Sequence, residues 1–184
     1  MQCPKDKGES LSSIILSGNL AAHQCPVCEG TWVSADDYES WQASLSDRSI
    51  EPVPADLDLG YEPSPLDAKG GLCPDCGGYL ARARIGLKHP FYVERCVKCG
   101  GVWCDRGEWP VLEHLGLHVA VEQLFTSDWQ LRSREREYLD RERRATVEKL
   151  GDDLAQRVFD LADQLAKHPN GDFGVAYLMR RFEQ

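Results

Sequence analysis

Eight cysteines, all between residues 3 and 104, constrain this chain more than any other feature. Six fall in Cys-x-x-Cys pairs or halves of them: Cys25/Cys28, Cys73/Cys76 and Cys96/Cys99, with Cys3 and Cys104 outside the pairs. Thiols at this spacing serve either as disulfides or as metal and redox ligands. The start, Met1-Gln2-Cys3-Pro4, has no basic stretch followed by an apolar one. The expected setting is therefore a reducing, cytoplasmic one, where thiols stay free.

The cysteines also reveal an internal repeat. Cys3 to Cys73 spans 70 residues and Cys25 to Cys96 spans 71. Cys28-Glu-Gly-Thr-Trp32 aligns with Cys99-Gly-Gly-Val-Trp103. A helix start follows each: Ser34 with Asp37 before Tyr38, Trp41 and Leu45, and Asp105 with Glu108 before Val111, Leu112 and Leu115. Gly116 is placed to end the second helix. Between the pairs, strand-like alternation over Tyr79–Ile85 and Phe91–Arg95 flanks Gly86–Pro90 and reads as a hairpin. Leu11–Leu16 and Asn19–His23 repeat the pattern across Ser17-Gly18.

In the second repeat, two Cys-x-x-Cys pairs separated by 19 residues form a four-cysteine zinc pattern: Cys73, Cys76, Cys96 and Cys99. Zinc is borderline soft and favours tetrahedral sulfur. A module of about 40 residues buries too little surface to fold alone. A structural zinc contributes about 10–16 kcal/mol, which becomes folding energy. Thioredoxin-like exchange would need one pair at a strand–helix junction, whereas here two pairs flank a hairpin. Iron shares this ligand preference and remains an alternative. The first repeat supplies Cys3, Cys25 and Cys28, with Asp6 at the position of Cys76. Asp6 keeps the knuckle spacing and is preferred as fourth ligand. His23, on one strand face with Cys25, is its rival. Two zinc ions are thus expected. A fifth cysteine cannot join a closed tetrahedral site, so Cys104 reads as a small buried residue. Trp32 and Trp103 read as core over the knuckles.

The motif Cys73-Pro-Asp-Cys-Gly-Gly, followed by Cys96-Val-Lys-Cys-Gly-Gly-Val-Trp-Cys-Asp-Arg-Gly-Glu108, resembles the transcription-factor-IIB-type zinc ribbon of small bacterial proteins. Residues 73–115 carry the resemblance, and residues 3–45 look like a degenerate second copy, with Asp6 for a cysteine and Ser34 for an aspartate. The resemblance implies a zinc-bound hairpin ribbon followed by a short helix. Its link to transcription is a fold-level analogy.

The expected fold is small α+β. It has a degenerate ribbon over 1–45, a Pro-rich acidic linker over 46–72, a ribbon over 73–117 and a helical region over 118–184. In the last region, Arg132–Arg144 holds 10 charged residues in 13, and Leu154, Val158, Leu161 and Leu165 form one apolar stripe. No apolar run approaches the roughly 18 residues of a membrane helix. The net charge of −9 opposes a basic clamp on nucleic acid. The expected function is a non-enzymatic zinc protein that binds proteins or works as a transcription-related adapter. The alternative is nucleic-acid binding through the basic hairpin 79–98. That hairpin carries Arg82, Arg84, Lys88, Arg95 and Lys98 among Tyr79, Phe91 and Tyr92. No nucleophile–base pair or phosphate loop suggests catalysis.

Overall fold

The computed structural model describes residues 1–55 and 57–182. Two compact units divide the chain, Met1–Glu137 and Tyr138–Gln184.

The first unit is built on one six-stranded antiparallel sheet. Strands β1 (Ser12–Leu16) and β2 (Leu20–Gln24) form a hairpin, and β3 (Thr31–Val33) adds to β2. The second repeat does the same with β4 (Leu80–Ile85), β5 (Phe91–Cys96) and β6 (Val102–Cys104). The sheet order is β1-β2-β3-β6-β5-β4, so the two ribbons meet edge to edge at their third strands. The register sets Trp32 opposite Trp103, with Thr31 opposite Cys104 and Val33 opposite Val102. Whether the repeats sit apart or together was open from sequence; they share one sheet.

Both tryptophans are fully buried. At about 25 cal/mol per Å² and about 150–250 Å² each, that burial supplies about 4–6 kcal/mol per ring before entropy is counted. The close approach needs glycine. A Cβ on Gly30 would fall inside the Trp103 ring, and one on Gly101 inside the Trp32 ring. Each ribbon's glycine thus makes room for the other ribbon's tryptophan.

Helix α1 (Ala35–Ala43) starts at Ser34, whose side chain accepts from the Asp37 N–H. Helix α2 (Glu108–His114) differs from the expected cap. Glu108 accepts from the Asp105 N–H at 2.7 Å, but the Asp105 carboxylate takes the Trp103 indole N–H at 2.8 Å instead of capping the helix. Short helix α3 spans Val121–Leu124, and the Tyr38 hydroxyl ties α1 to it by accepting the Val121 N–H.

The main core gathers Leu20, Val33, Phe91, Val93, Leu112, Leu117 and Trp129 beneath these elements. The segment read as a linker is packed on that core: Ile50 is buried, and Val53, Leu57, Leu59 and Tyr61 lie half-buried against it.

Helix α4 (Ser127–Leu150) crosses the boundary between the units. Thr126 caps it, its Oγ1 accepting from the Trp129 N–H. Gln130 donates to the carbonyls of Leu124 and Arg84. In the second unit, α5 (Asp152–Lys167) and α6 (Gly171–Phe182) form a helical hairpin. Gly171 allows the close turn, since a Cβ there would collide with the Leu165 backbone carbonyl.

Gly101→Ala is expected to lower unfolding free energy by about 1–3 kcal/mol through overpacking against Trp32. Gly8→Ala, whose Cβ would sit 3.6 Å from Asp6, is expected to change it by under about 0.5 kcal/mol. Urea unfolding of both variants checks this; equal stability would refute the close contact.

Candidate metal centres

In the second ribbon each Cys-x-x-Cys forms a knuckle at the end of a hairpin strand. The chain turns so that the N–H of Cys76 points at Cys73 Sγ (3.4 Å) and those of Lys98 and Cys99 point at Cys96 Sγ (3.4 Å each). Gly77 and Gly100 close the two turns at φ 69° and 84°. The four sulfurs lie within 4.8 Å of one another, with Cys73–Cys99 and Cys76–Cys96 at 3.4 Å. Four sulfurs about 2.3 Å from a central zinc form a tetrahedron with edges of about 3.8 Å. The set fits zinc in both chemistry and spacing. All eight cysteines are free thiols.

The first ribbon brings Cys3, Cys25 and Cys28 together within the same limit, with Cys3 and Cys28 sulfurs 3.5 Å apart. Its first knuckle is one residue longer: the Cys3 N–H bonds to Glu9 O, where that of Cys73 bonds to Gly78 O. The Asp6 N–H still points at Cys3 Sγ (3.2 Å), matching Cys76. The Asp6 carboxylate, however, accepts from the Gly8 N–H at 3.2 Å and stands outside the thiol group. His23 also stands outside it, its Nδ1 buried without a hydrogen-bond partner. Both clusters suit zinc; the first is incomplete.

Electrostatics repeats with the sequence. Burial raises Cys96 and Cys25, but N–H groups pointing at their sulfurs outweigh it. Cys96 is thereby held down at about 6 and Cys25 below its ordinary value. Burial prevails at Cys28, pushed up to about 12, and at Cys3, Cys73 and Cys99. One low thiol per site is the first to present a thiolate. Burial and nearby Glu108 and Asp105 push the Cys104 thiol far up, which fits a small core residue.

Each first knuckle also reaches across the middle of the sheet. Asp75 accepts the indole N–H of Trp32 at 3.0 Å. Its counterpart Lys5, with its side chain 1% exposed, reaches Glu94 Oε1 at 3.0 Å and Asp105 Oδ2 at 3.7 Å in the second ribbon. The Lys5 ammonium also donates to the carbonyls of Leu66 and Lys69. Glu94 and Asp105 belong to a buried acidic region in which Asp67, Asp105 and Glu108 bring carboxylate oxygens within 4.8 Å of one another. Removing one partner from such a buried pair costs about 3–5 kcal/mol. Lys5, Asp67 and Glu94 were not singled out in the sequence. The only signal was a lysine inside a knuckle and an acid at the end of a Pro-rich stretch.

The basic hairpin is largely neutralised by the chain itself. Arg82 lies 3.5 Å from both Asp67 and Glu94 and over the Tyr92 ring at 4.1 Å. Arg84 pairs with Glu137, and Lys88 with Asp58 at 2.7 Å. Phe91 is fully buried.

Residues 2–44 match the family model of the transcription-factor-IIB-type zinc ribbon, described as a transcription factor zinc-finger. The match falls on the copy that lacks a fourth cysteine; the second copy is joined to it by its ligand set and strand order. No curated protein and no solved structure matched the chain.

Burial, then the charge of Asp105, raises Glu108 to about 9. Between the ordinary glutamate value of about 4.3 and that value, the folded chain keeps a proton that the unfolded chain releases. This contribution to stability is present at low pH and lost as pH rises towards about 9. Glu108→Gln keeps an acceptor for the Asp105 N–H and removes the titration. Between about pH 7 and pH 9, the zinc-loaded variant is expected to lose less unfolding free energy than the parent chain. Identical slopes in urea titrations would contradict a protonated, buried Glu108.

Proposed function

We propose that this protein is a non-enzymatic adapter whose zinc-held ribbons form a rigid body and whose helical hairpin holds a partner protein. The observation that carries the reading is the face between α5 and α6. Val158, Leu161, Leu165, Val175, Leu178 and Met179 line a groove of about 830 Å³. Val158, Leu161 and Met179 are 42%, 41% and 59% exposed. A contiguous apolar groove open to solvent is the shape that receives an amphipathic helix. The acids Asp152, Asp153, Asp160 and Asp163 outnumber Arg157 and Lys167 on α5, which favours a helix with basic flanks. The family described for residues 2–44 supports a transcription-related setting.

Two observations support a role without turnover: three thiols and four thiols are committed to the clusters, and the remaining one is buried. The pairing of Arg82, Arg84 and Lys88 with carboxylates weighs against the nucleic-acid reading, because a phosphate backbone would find those cations already occupied.

The probe is a labelled 18-residue peptide with leucines at helical spacing and lysines at both ends, compared with its scrambled form. The zinc-loaded chain is expected to bind the first about tenfold or more tightly. Val158→Asp with Met179→Asp is expected to abolish that preference without changing zinc content. Equal binding of both peptides would refute the hairpin as the docking face. Binding of duplex DNA that falls steeply with salt, and is lost in Arg82→Glu with Arg84→Glu, would replace this reading with the nucleic-acid one.

A further inference from the structure

We propose that zinc in the first ribbon takes its fourth ligand from outside the chain, and that this ligand is a small anionic thiol. The site offers three sulfurs where its counterpart offers four. The backbone puts Asp6 at the fourth-ligand position, since its N–H points at Cys3 Sγ as that of Cys76 points at Cys73 Sγ. Its Oδ1 accepts from the Gly8 N–H, and its carboxylate stands outside the thiol group. The chain therefore places a fourth position beside Cys3, and neither the Asp6 carboxylate nor the unpartnered Nδ1 of His23 lies with the three sulfurs.

A groove of about 880 Å³ touches the cluster at the buried Cys3 and runs on past Pro4, Lys7, Gly71, Cys73 and Tyr79. Lys7 and Tyr79 are exposed, and Cys28 in the cluster is only half-buried.

The ligand class follows from charge and softness. Zinc with three thiolates carries one negative charge, and a fourth thiolate brings it to the two of the Cys73–Cys76–Cys96–Cys99 site. A zinc already bound by sulfur accepts sulfur readily. The thiol releases its proton to solvent as its sulfur binds, so no oxidant or reductant is involved. The Lys7 ammonium on the groove favours a thiol that also carries a negative charge.

The test uses the full chain loaded with two equivalents of cobalt(II), whose sulfur-to-metal charge-transfer and ligand-field bands report the ligand set. Titration with 2-mercaptoethanesulfonate is expected to raise the charge-transfer intensity and saturate at one thiol per chain. The cationic 2-mercaptoethylamine is expected to need several-fold higher concentration, and Lys7→Glu to abolish the difference. Asp6→Ala and His23→Ala are expected to leave the starting spectrum unchanged. A flat titration overturns the proposal, as does a chain that takes up a single cobalt. A band shift in Asp6→Ala or His23→Ala before any thiol is added also overturns it, by identifying an internal ligand. Equal affinity for the two thiols removes the role of Lys7 and, with it, the groove as the route. None of these outcomes depends on the helical hairpin, so peptide binding and thiol binding fail or succeed separately.

Discussion

Trp32 and Trp103 face each other across two strands of only three residues each, and both ribbons are organised around that meeting. A three-residue strand has too few hydrogen bonds to persist by itself. Here each is held on one side by its own hairpin and on the other by the equivalent strand of the other repeat. Gly30 and Gly101 let the indoles lie against backbone, and Asp75 and Asp105 take the indole N–H groups. Fully buried donors are thereby satisfied, which keeps a large apolar gain from being offset by a desolvated N–H.

The thiols depend on the same centre. Cys25 directly follows β2 and Cys96 ends β5, and Cys3, Cys25, Cys73, Cys96 and the two indoles form one cluster. A metal at each end closes that cluster in place of a larger apolar core. The exchange across the middle is charge-complementary. The first ribbon's knuckle sends Lys5 into the acids of the second, while the second's knuckle sends Asp75 to the first ribbon's tryptophan. The two repeats thus differ in charge while sharing strand order, which suits two halves that bind each other.

The local features were legible because local chemistry writes them. Knuckle spacing, alternation in the hairpins and Ser34 with Asp37 each involve residues a few positions apart, and each gave an element in its expected region. The fusion of the sheets was not legible. It joins Thr31–Val33 to Val102–Cys104 across about seventy residues, and neither strand is long enough to announce its partner. The Lys5–Glu94 pair is hidden for the same reason. The packing of residues 50–61 had a signal: Leu57, Leu59 and Tyr61 alternate, but the prolines and acids around them suggested a solvated linker. At the first metal site, the knuckle spacing favoured Asp6 over His23, and the thiol group contains neither.

If the two ribbons are one cooperative body, emptying one metal site must loosen the other ribbon. Amide hydrogen exchange on the full-length Cys96→Ser chain measures this directly. The expected result is loss of protection in β1, β2 and β3 together with β4, β5 and β6, because the central strand pair has lost one of its two supports. Protection that persists through β1–β3 while β4–β6 exchanges freely would show two independent ribbons and contradict the shared sheet as the organising unit.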